Sequence, residues 1–251
     1  VGGLYVPEAK LSILESGLNE LCSEYKFPDN EVFKWSPDRD TWMHNNLVLK
    51  SREDFYNGAL SLAKVNEATA LVIIEDMNAA MATDAKSRDI DLINLLLERF
   101  QRELEKRNNF GLVLTAQPSG DRKDENKFLS QCFNTLKCGT DYVKTTRIIL
   151  NVLSSPYKFI RILQLADVIV SCTTAFVVGE DRFSPTIFQT IKPLFARDSD
   201  RIGGVGLKIH PDIKYHNLYY WLLGDTHFWK RNLGYPMPRK EGQYSVSPND
   251  P

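Results

Sequence analysis

The strongest constraint on the fold is the run Ala70-Leu-Val-Ile-Ile74, which ends abruptly on Glu75-Asp76. A short unbroken apolar run of this kind reads as a strand. The next pattern is helical. Between Asp89 and Arg107, Ile90, Ile93, Leu96, Leu97 and Phe100 recur at three- and four-residue spacing. Asp89 stands near the start and Lys106-Arg107 at the end, as the helix dipole favours. A second apolar run, Gly111-Leu-Val-Leu114, then breaks into Thr115-Ala-Gln-Pro-Ser-Gly120. That is a strand opening onto a turn.

The remaining segments continue the alternation. Gly2 to Val6 reads as a strand ended by Pro7, and Leu11, Leu14, Leu18 and Leu21 mark a helix over 8–25. Glu31 to Trp35 reads as a strand with Glu31, Phe33 and Trp35 on one face. Helices are expected over 51–66, around 127–135, over 159–176, over 184–195 with Pro185 in its first turn, and over the aromatic-rich 215–223. Arg147 to Leu153 reads as a further strand. Strands alternating with helices predict an α/β fold with a mixed sheet flanked by helices. The reading divides the chain into a core at 1–180, a C-terminal helical and aromatic extension at 181–233, and a loose Pro-, Gly- and Ser-rich tail at 234–251.

Net charge enters at the question of partners. At −1, with a pI near 6.5, the chain is no bulk polycation. Nucleic-acid binding would have to come from a local patch or from metal ions. Lys34, Lys123, Lys127 and Arg147 are the candidates for such a patch; a solvated charged surface is the plainer reading. No apolar run reaches transmembrane length and no signal peptide is visible, so no membrane and a cytoplasmic location are expected. The four cysteines show no metal-ligand spacing and read as reduced thiols.

Carboxylates fall at the ends of core elements: Glu31 at the start of a strand, Glu75 and Asp76 at the end of another. Asp167 sits inside the most apolar helix, in Ile162-Leu-Gln-Leu-Ala-Asp-Val-Ile-Val170. A charge there is costly to bury unpaired. Each acid alone reads as solvated or ion-paired. Together they are the ligand type that suits Mg²⁺ or Mn²⁺, and two such ions can activate water for phosphodiester cleavage.

Five segments carry a resemblance: Val1-Gly-Gly-Leu-Tyr-Val-Pro7, Glu31-x-x-Lys34-Trp35, Leu96-Leu-Glu-Arg-Phe100, Gly111-Leu-Val-Leu114 followed by Pro118-Ser-Gly-Asp-Arg122, and Leu163-Gln-Leu-Ala-Asp167. In this order the chain resembles the domain-of-unknown-function 3800 family over about residues 1 to 180. The resemblance implies a ribonuclease H-like fold, a divalent-metal nuclease site and a setting among bacterial anti-phage defence proteins. It implies nucleic acid as substrate, and a partner defence protein or a homo-oligomer as assembly. The implied site holds Asp167, Glu31 and the position of Ala116, where the family carries an acid; Asp76 and Glu75 join the candidates by their place at a strand end. The family's first acid, in an Asp-Glu-Ser-Gly strand before the one at Val1, has no counterpart; Glu15-Ser16-Gly17 lies in a helix. Ala116 reads three ways: an engineered change, a natural loss, or a shifted alignment in which Asp121 or Asp124 supplies the ligand. The chain as written is expected to be a poor enzyme.

The four histidines show no ligand spacing; His210-Pro-Asp212 could border the site only if the C-terminal region folds back. Tyr215, Tyr219, Tyr220, Trp221, Phe228 and Trp229 could stack on bases, but more commonly such clusters form core or interface. Gly203-Gly-Val-Gly206 lacks the context of a phosphate loop. The second expected function is a catalytically silent binding or scaffold subunit.

Overall fold

The computed structural model describes residues 1–77, 85–210, 215–230 and 233–238, with the backbone alone at 85–89 and 229–230. His210-Pro-Asp212 lies partly, and the end of the tail from 239 wholly, outside the described residues. In chain order the elements are β1 (Gly2–Tyr5), α1 (Glu8–Glu24), α2 (Trp42–Asn46), α3 (Lys50–Val65), β2 (Thr69–Glu75), α4 (Ala85–Lys106), β3 (Leu114–Ala116), α5 (Arg122–Cys138), β4 (Leu153–Ser155), α6 (Arg161–Val177), α7 (Ser184–Ile191), β5 (Leu207–His210), α8 (His216–Leu223), β6 (His227–Lys230) and β7 (Leu233–Pro236).

The mixed sheet has the order β1-β2-β5. β1 runs antiparallel to β2, with Gly2 opposite Val72 and Tyr5 opposite Thr69. β5 runs parallel, with Val72 opposite Leu207 and Glu75 opposite His210. Period-two alternation sends Ala70 and Val72 into the main core, with Leu14, Leu18, Leu60, Leu165, Ile169 and Phe188 of α1, α3, α6 and α7. The other face of β2 meets α4, and Arg107, just after that helix, donates to Thr69 Oγ1 at 2.8 Å. Both faces are therefore covered, and this is why 70–74 reads as an unbroken apolar run. β1 is pinched between the same two layers. A Cβ on Gly2 would lie 2.7 Å from Val170 Cγ2, and one on Gly3 would lie 2.8 Å from the Phe100 ring, so only glycine lets α6 and α4 close on this strand.

The segment expected to be an extension, 181–233, supplies β5, α7 and α8 to this sheet and core. Tyr219 is buried and its hydroxyl accepts the Ile209 amide at 2.7 Å. Phe228 stacks on His216 at 4.0 Å. Tyr219 and Phe228 of the expected aromatic cluster are thus packing, Trp221 is exposed, and the Trp229 side chain lies outside the described residues. At the other end, Phe55 stands at the centre of a ring cluster with Tyr25, Phe27 and Phe33, at centroid distances of 5.3, 5.0 and 5.2 Å. Each such pair contributes about 0.5–1.5 kcal/mol beyond burial.

β3 and β4 form a separate two-stranded parallel sheet, Leu114 opposite Leu153 and Ala116 opposite Ser155. Pairing begins earlier, as a bridge between Gly111 and Ile148. The strand expected over 147–153 is interrupted because Leu150 adopts φ 60° and Asn151 Oδ1 takes the Val152 amide. The strand expected over 31–35 does not form; its amides find side-chain partners on α6 instead, as set out below.

Cys22, Cys132 and Cys172 are buried and Cys138 is exposed, all as free thiols. Burial pushes Cys22 and Cys132 up to about 11 and Cys172 higher still. The thiolate is the nucleophile, so native iodoacetamide labelling should modify one thiol per chain, Cys138, with the other three reacting only in denaturant. Mass mapping of the labelled peptides checks this, and fast native labelling of Cys172 would contradict the packing.

Candidate functional site

The first turn of α6 organises the region that the sequence singled out. Ile160 precedes the helix and offers no side-chain cap. The free amides of Arg161 and Ile162 are taken instead by the Glu15 carboxylate of α1, at 2.7 and 3.0 Å. A carboxylate at a helix N-terminus is favoured by both hydrogen bonding and the dipole. The Arg161 side chain folds into the interior, donating from Nη1 to the Glu31 carbonyl at 2.8 Å and to Gln164 Oε1 at 2.9 Å, and from Nε to Asn19 Oδ1 at 3.2 Å.

Gln164 and Asp167 then hold the 31–35 segment. Gln164 Oε1 accepts the Phe33 amide at 3.2 Å, and the Asp167 carboxylate lies beside the Trp35 amide and the Ser171 hydroxyl, which favour its ionised form. The two side chains stand one turn apart, about 4.5 Å along the helix. Alternate amides of an extended chain are about 6.7 Å apart, a mismatch that side-chain length absorbs. α6 thus does for this segment what a neighbouring strand would do. Tyr56 completes the clamp, donating from its hydroxyl to the Lys34 carbonyl at 2.8 Å.

Asp167 keeps its charge open to solvent: its side chain is exposed, on a polar stripe that the sequence pattern did not suggest. Crowding by the helix and segment raises its carboxyl pKa, opposed by the Trp35 amide, by the Lys34 charge and by Ser171. Because the group is exposed, that desolvation is modest and carries little stability. Lys34 is held protonated by its hydrogen bond to Asp38, with Tyr157 and Asp167 as further electrostatic neighbours.

All but one of the other expected acids have structural partners, the exception being Glu75. Glu31 Oε1 accepts the Met43 amide at 2.9 Å in the first turn of α2. Asp76 accepts the Tyr215 hydroxyl. Glu75 ends β2 with its Oε2 buried and lacking a hydrogen bond. Asp121 and Asp124 cap α5 reciprocally, Asp121 Oδ1 accepting from Lys123 N at 2.6 Å and Asp124 Oδ2 from Asp121 N at 3.1 Å. Among the described residues no group of three His, Cys, Asp or Glu side chains converges on a point where a metal ion could sit. The described carboxylates alone thus form no three-ligand set for Mg²⁺ or Mn²⁺.

Ala116 ends β3 opposite Ser155, and the chain runs from there into a 3-10 turn at Tyr157–Phe159. The Tyr157 and Lys158 carbonyls accept from Gln164 Nε2 at 3.2 and 3.3 Å. Ala116, Lys34 and Asp167 are thereby linked through the N-terminal half of α6. The expected basic patch is not gathered there. Arg147 lies at the start of the β3–β4 pair, stacked over Phe110 and bonded to Asn108, while Lys123 and Lys127 lie exposed on α5. Sequence reading missed Glu15, Arg161 and Gln164. The one available signal was that Arg161 and Gln164 interrupt an otherwise apolar helix.

The β3–β4 pair has one covered and one bare face. Gly111 and Val113 pack towards Leu104 and the α4–α5 cluster. Phe110, Leu112 and Leu114, on the opposite pleat, are 62, 55 and 44% exposed, and Leu153 beside them is 45% exposed. The Gly111, Val113 and Gln117 backbone groups bond to the 147–155 side. By alternation, Leu112, Leu114 and Ala116 turn theirs to the other edge, where no strand pairs among the described residues.

No family model matches the chain, and no curated protein and no solved structure is similar to it. Among the described residues no helix is long and apolar enough to cross a membrane.

Proposed function

We propose that this chain is a ribonuclease H-like module, related in kind to the domain-of-unknown-function 3800 proteins, that works by binding and not by metal-dependent cleavage. The observation that carries the reading is the use of its acids. Glu31 and Asp76 each accept from a neighbouring amide or hydroxyl, Asp167 lies beside the Trp35 amide, and the Ala116 position has no carboxylate. A nuclease site needs carboxylates turned towards one point.

The bare face of β3–β4 supplies the binding surface. A parallel pair is normally covered on both faces. Here an apolar pleat and a set of outward backbone groups meet at one edge, the combination that strand addition uses. The fitting occupant is an extended segment of a partner protein with apolar residues at every second position.

Two separate measurements test this. The protein and its Ala116→Asp variant are incubated with Mg²⁺ or Mn²⁺ and with single- and double-stranded DNA and RNA. Neither should cleave; cleavage by the unmodified chain that EDTA abolishes would overturn the silent reading. Separately, peptides selected from a random displayed library should converge on alternating apolar sequences and lose at least tenfold in affinity for Leu114→Lys. Binders indifferent to that change would remove the docking surface.

A further inference from the structure

On the α4 side of the three-stranded sheet, away from the α6 clamp, lies a cavity of about 430 Å³. That is within the range of roughly 300–1,000 Å³ usual for small-ligand sites. Its walls carry five cationic side chains. Arg99, Arg102 and Lys106 come from α4, at the three- and four-residue spacings that align on one helix face, and Arg197 and Arg201 come from the loop between α7 and β5. Two carboxylates share the lining, and each is already engaged: Glu103 with Arg107 at 2.6 Å, and Asp198 with Arg201 at 3.1 Å. Asp225, buried behind the loop, offsets part of the Arg201 and Arg197 charge. Arg102, Lys106 and Arg197 form no ion pair with a described residue, so cationic charge remains in a concave space. Arg201 reaches the lining with its guanidinium already tied at one end to Asp198, while its Nε is buried without a hydrogen-bond partner among the described residues.

The chemistry of the lining narrows the ligand. Guanidinium groups recognise phosphate through paired N–H donors. Four of the five cations are arginines. The apolar lining is confined to Leu71, Ala196 and Val205, and no aromatic ring takes part, so the site offers no face on which a base would stack. Gly204 stands at the rim with φ +73°, and the space where its side chain would be is open. The Gly-rich turn thus borders an anion site without being a phosphate loop, since the Gly204 and Val205 amides bond to the Leu207 and Ile202 carbonyls.

We infer that this cavity binds a small polyphosphate, an inorganic di- or triphosphate or the phosphate tail of a nucleotide, held by Arg99, Arg102, Lys106, Arg197 and Arg201. Calorimetric titration with inorganic triphosphate, with ATP and with a single-stranded oligonucleotide tests it. Triphosphate should bind once per chain, more weakly as salt rises. Its affinity should fall at least tenfold in Arg102→Gln and in Arg201→Gln. Arg102 is exposed and its replacement should leave the unfolding midpoint unchanged, so a loss of binding there reports the site and not the fold. Equal affinity for triphosphate and ATP identifies the phosphates as the whole ligand; tighter ATP binding identifies a nucleotide. Absence of triphosphate binding at millimolar concentration, binding indifferent to both substitutions, or binding of the oligonucleotide alone would overturn the assignment.

Discussion

Replacing Gln164 with leucine should destabilise the chain by about 3–5 kcal/mol in urea denaturation, while Asp167→Asn, one turn along the same helix, should cost less than about 1 kcal/mol. The two residues look alike in sequence, as the polar members of Leu163-Gln-Leu-Ala-Asp167. Their surroundings differ. Gln164 is fully buried and makes four hydrogen bonds, accepting from Phe33 N and Arg161 Nη1 and donating to the Tyr157 and Lys158 carbonyls. Leucine matches its size closely enough that no large cavity forms. The loss would come from the buried groups left without partners, above all the Arg161 charge, which sits in an 8% exposed side chain. Asp167 is exposed, and asparagine can still accept the Trp35 amide. If Asp167→Asn proves the more damaging of the two, the carboxylate is doing something beyond holding the segment, and the metal-site reading regains ground.

That contrast also marks how far the sequence could be read. The helices α1, α3, α4 and α6 and the strand β2 follow from apolar spacing, because burial on one face or on two leaves a periodic trace. The 31–35 segment misleads for a physical reason. Its alternation of Phe33 with polar neighbours is that of a strand, and its amides are satisfied, but by Gln164 and Asp167, whose distance in sequence leaves no periodic mark. The acids read as metal ligands in sequence, and in the structure most of the described ones meet amides or hydroxyls. Glu31 and Asp76 lie outside the regular elements and Asp167 inside α6, and each meets an amide or hydroxyl that only the fold brings to it, so a carboxylate that holds the chain and one that binds a metal look alike in one dimension. The cationic cavity was invisible for another reason. Arg99, Arg102 and Lys106 read as the solvated face of an amphipathic helix, and only folding brings across Arg197, 91 positions beyond Lys106, and with it Arg201; the Lys106 ammonium meets the Arg197 carbonyl.

The second large effect is expected at Asp225, where loss of the carboxylate should loosen the wall of that cavity. The side chain is 4% exposed, accepting the Ile202 amide at 3.2 Å and the Gly203 amide at 2.6 Å. Asp225→Ala leaves both amides buried and unpaired, a loss of about 3–4 kcal/mol, and frees the turn that carries Arg201 and Gly204. Triphosphate affinity should fall with stability in this variant, although Asp225 carries the wrong charge to bind an anion itself. Asp225→Asn retains an acceptor oxygen and should hold the turn better. The pair also fixes a pH dependence. Burial raises the Asp225 carboxyl pKa, against the opposing pull of the Gly203 and Ile202 amides and of Arg201 and Arg197. A raised carboxyl means that the folded state binds the proton more tightly than the unfolded chain, whose aspartate titrates near about 3.9. The stabilising contribution is therefore complete below that value and is lost as pH rises through the folded pKa. Measured against Asp225→Asn, which does not titrate, the unmodified chain should gain relative stability as pH falls from 7 towards 4. A gap that narrows instead would mean that the ionised carboxylate is the form the fold prefers, with the Arg201 and Arg197 charges outweighing its burial.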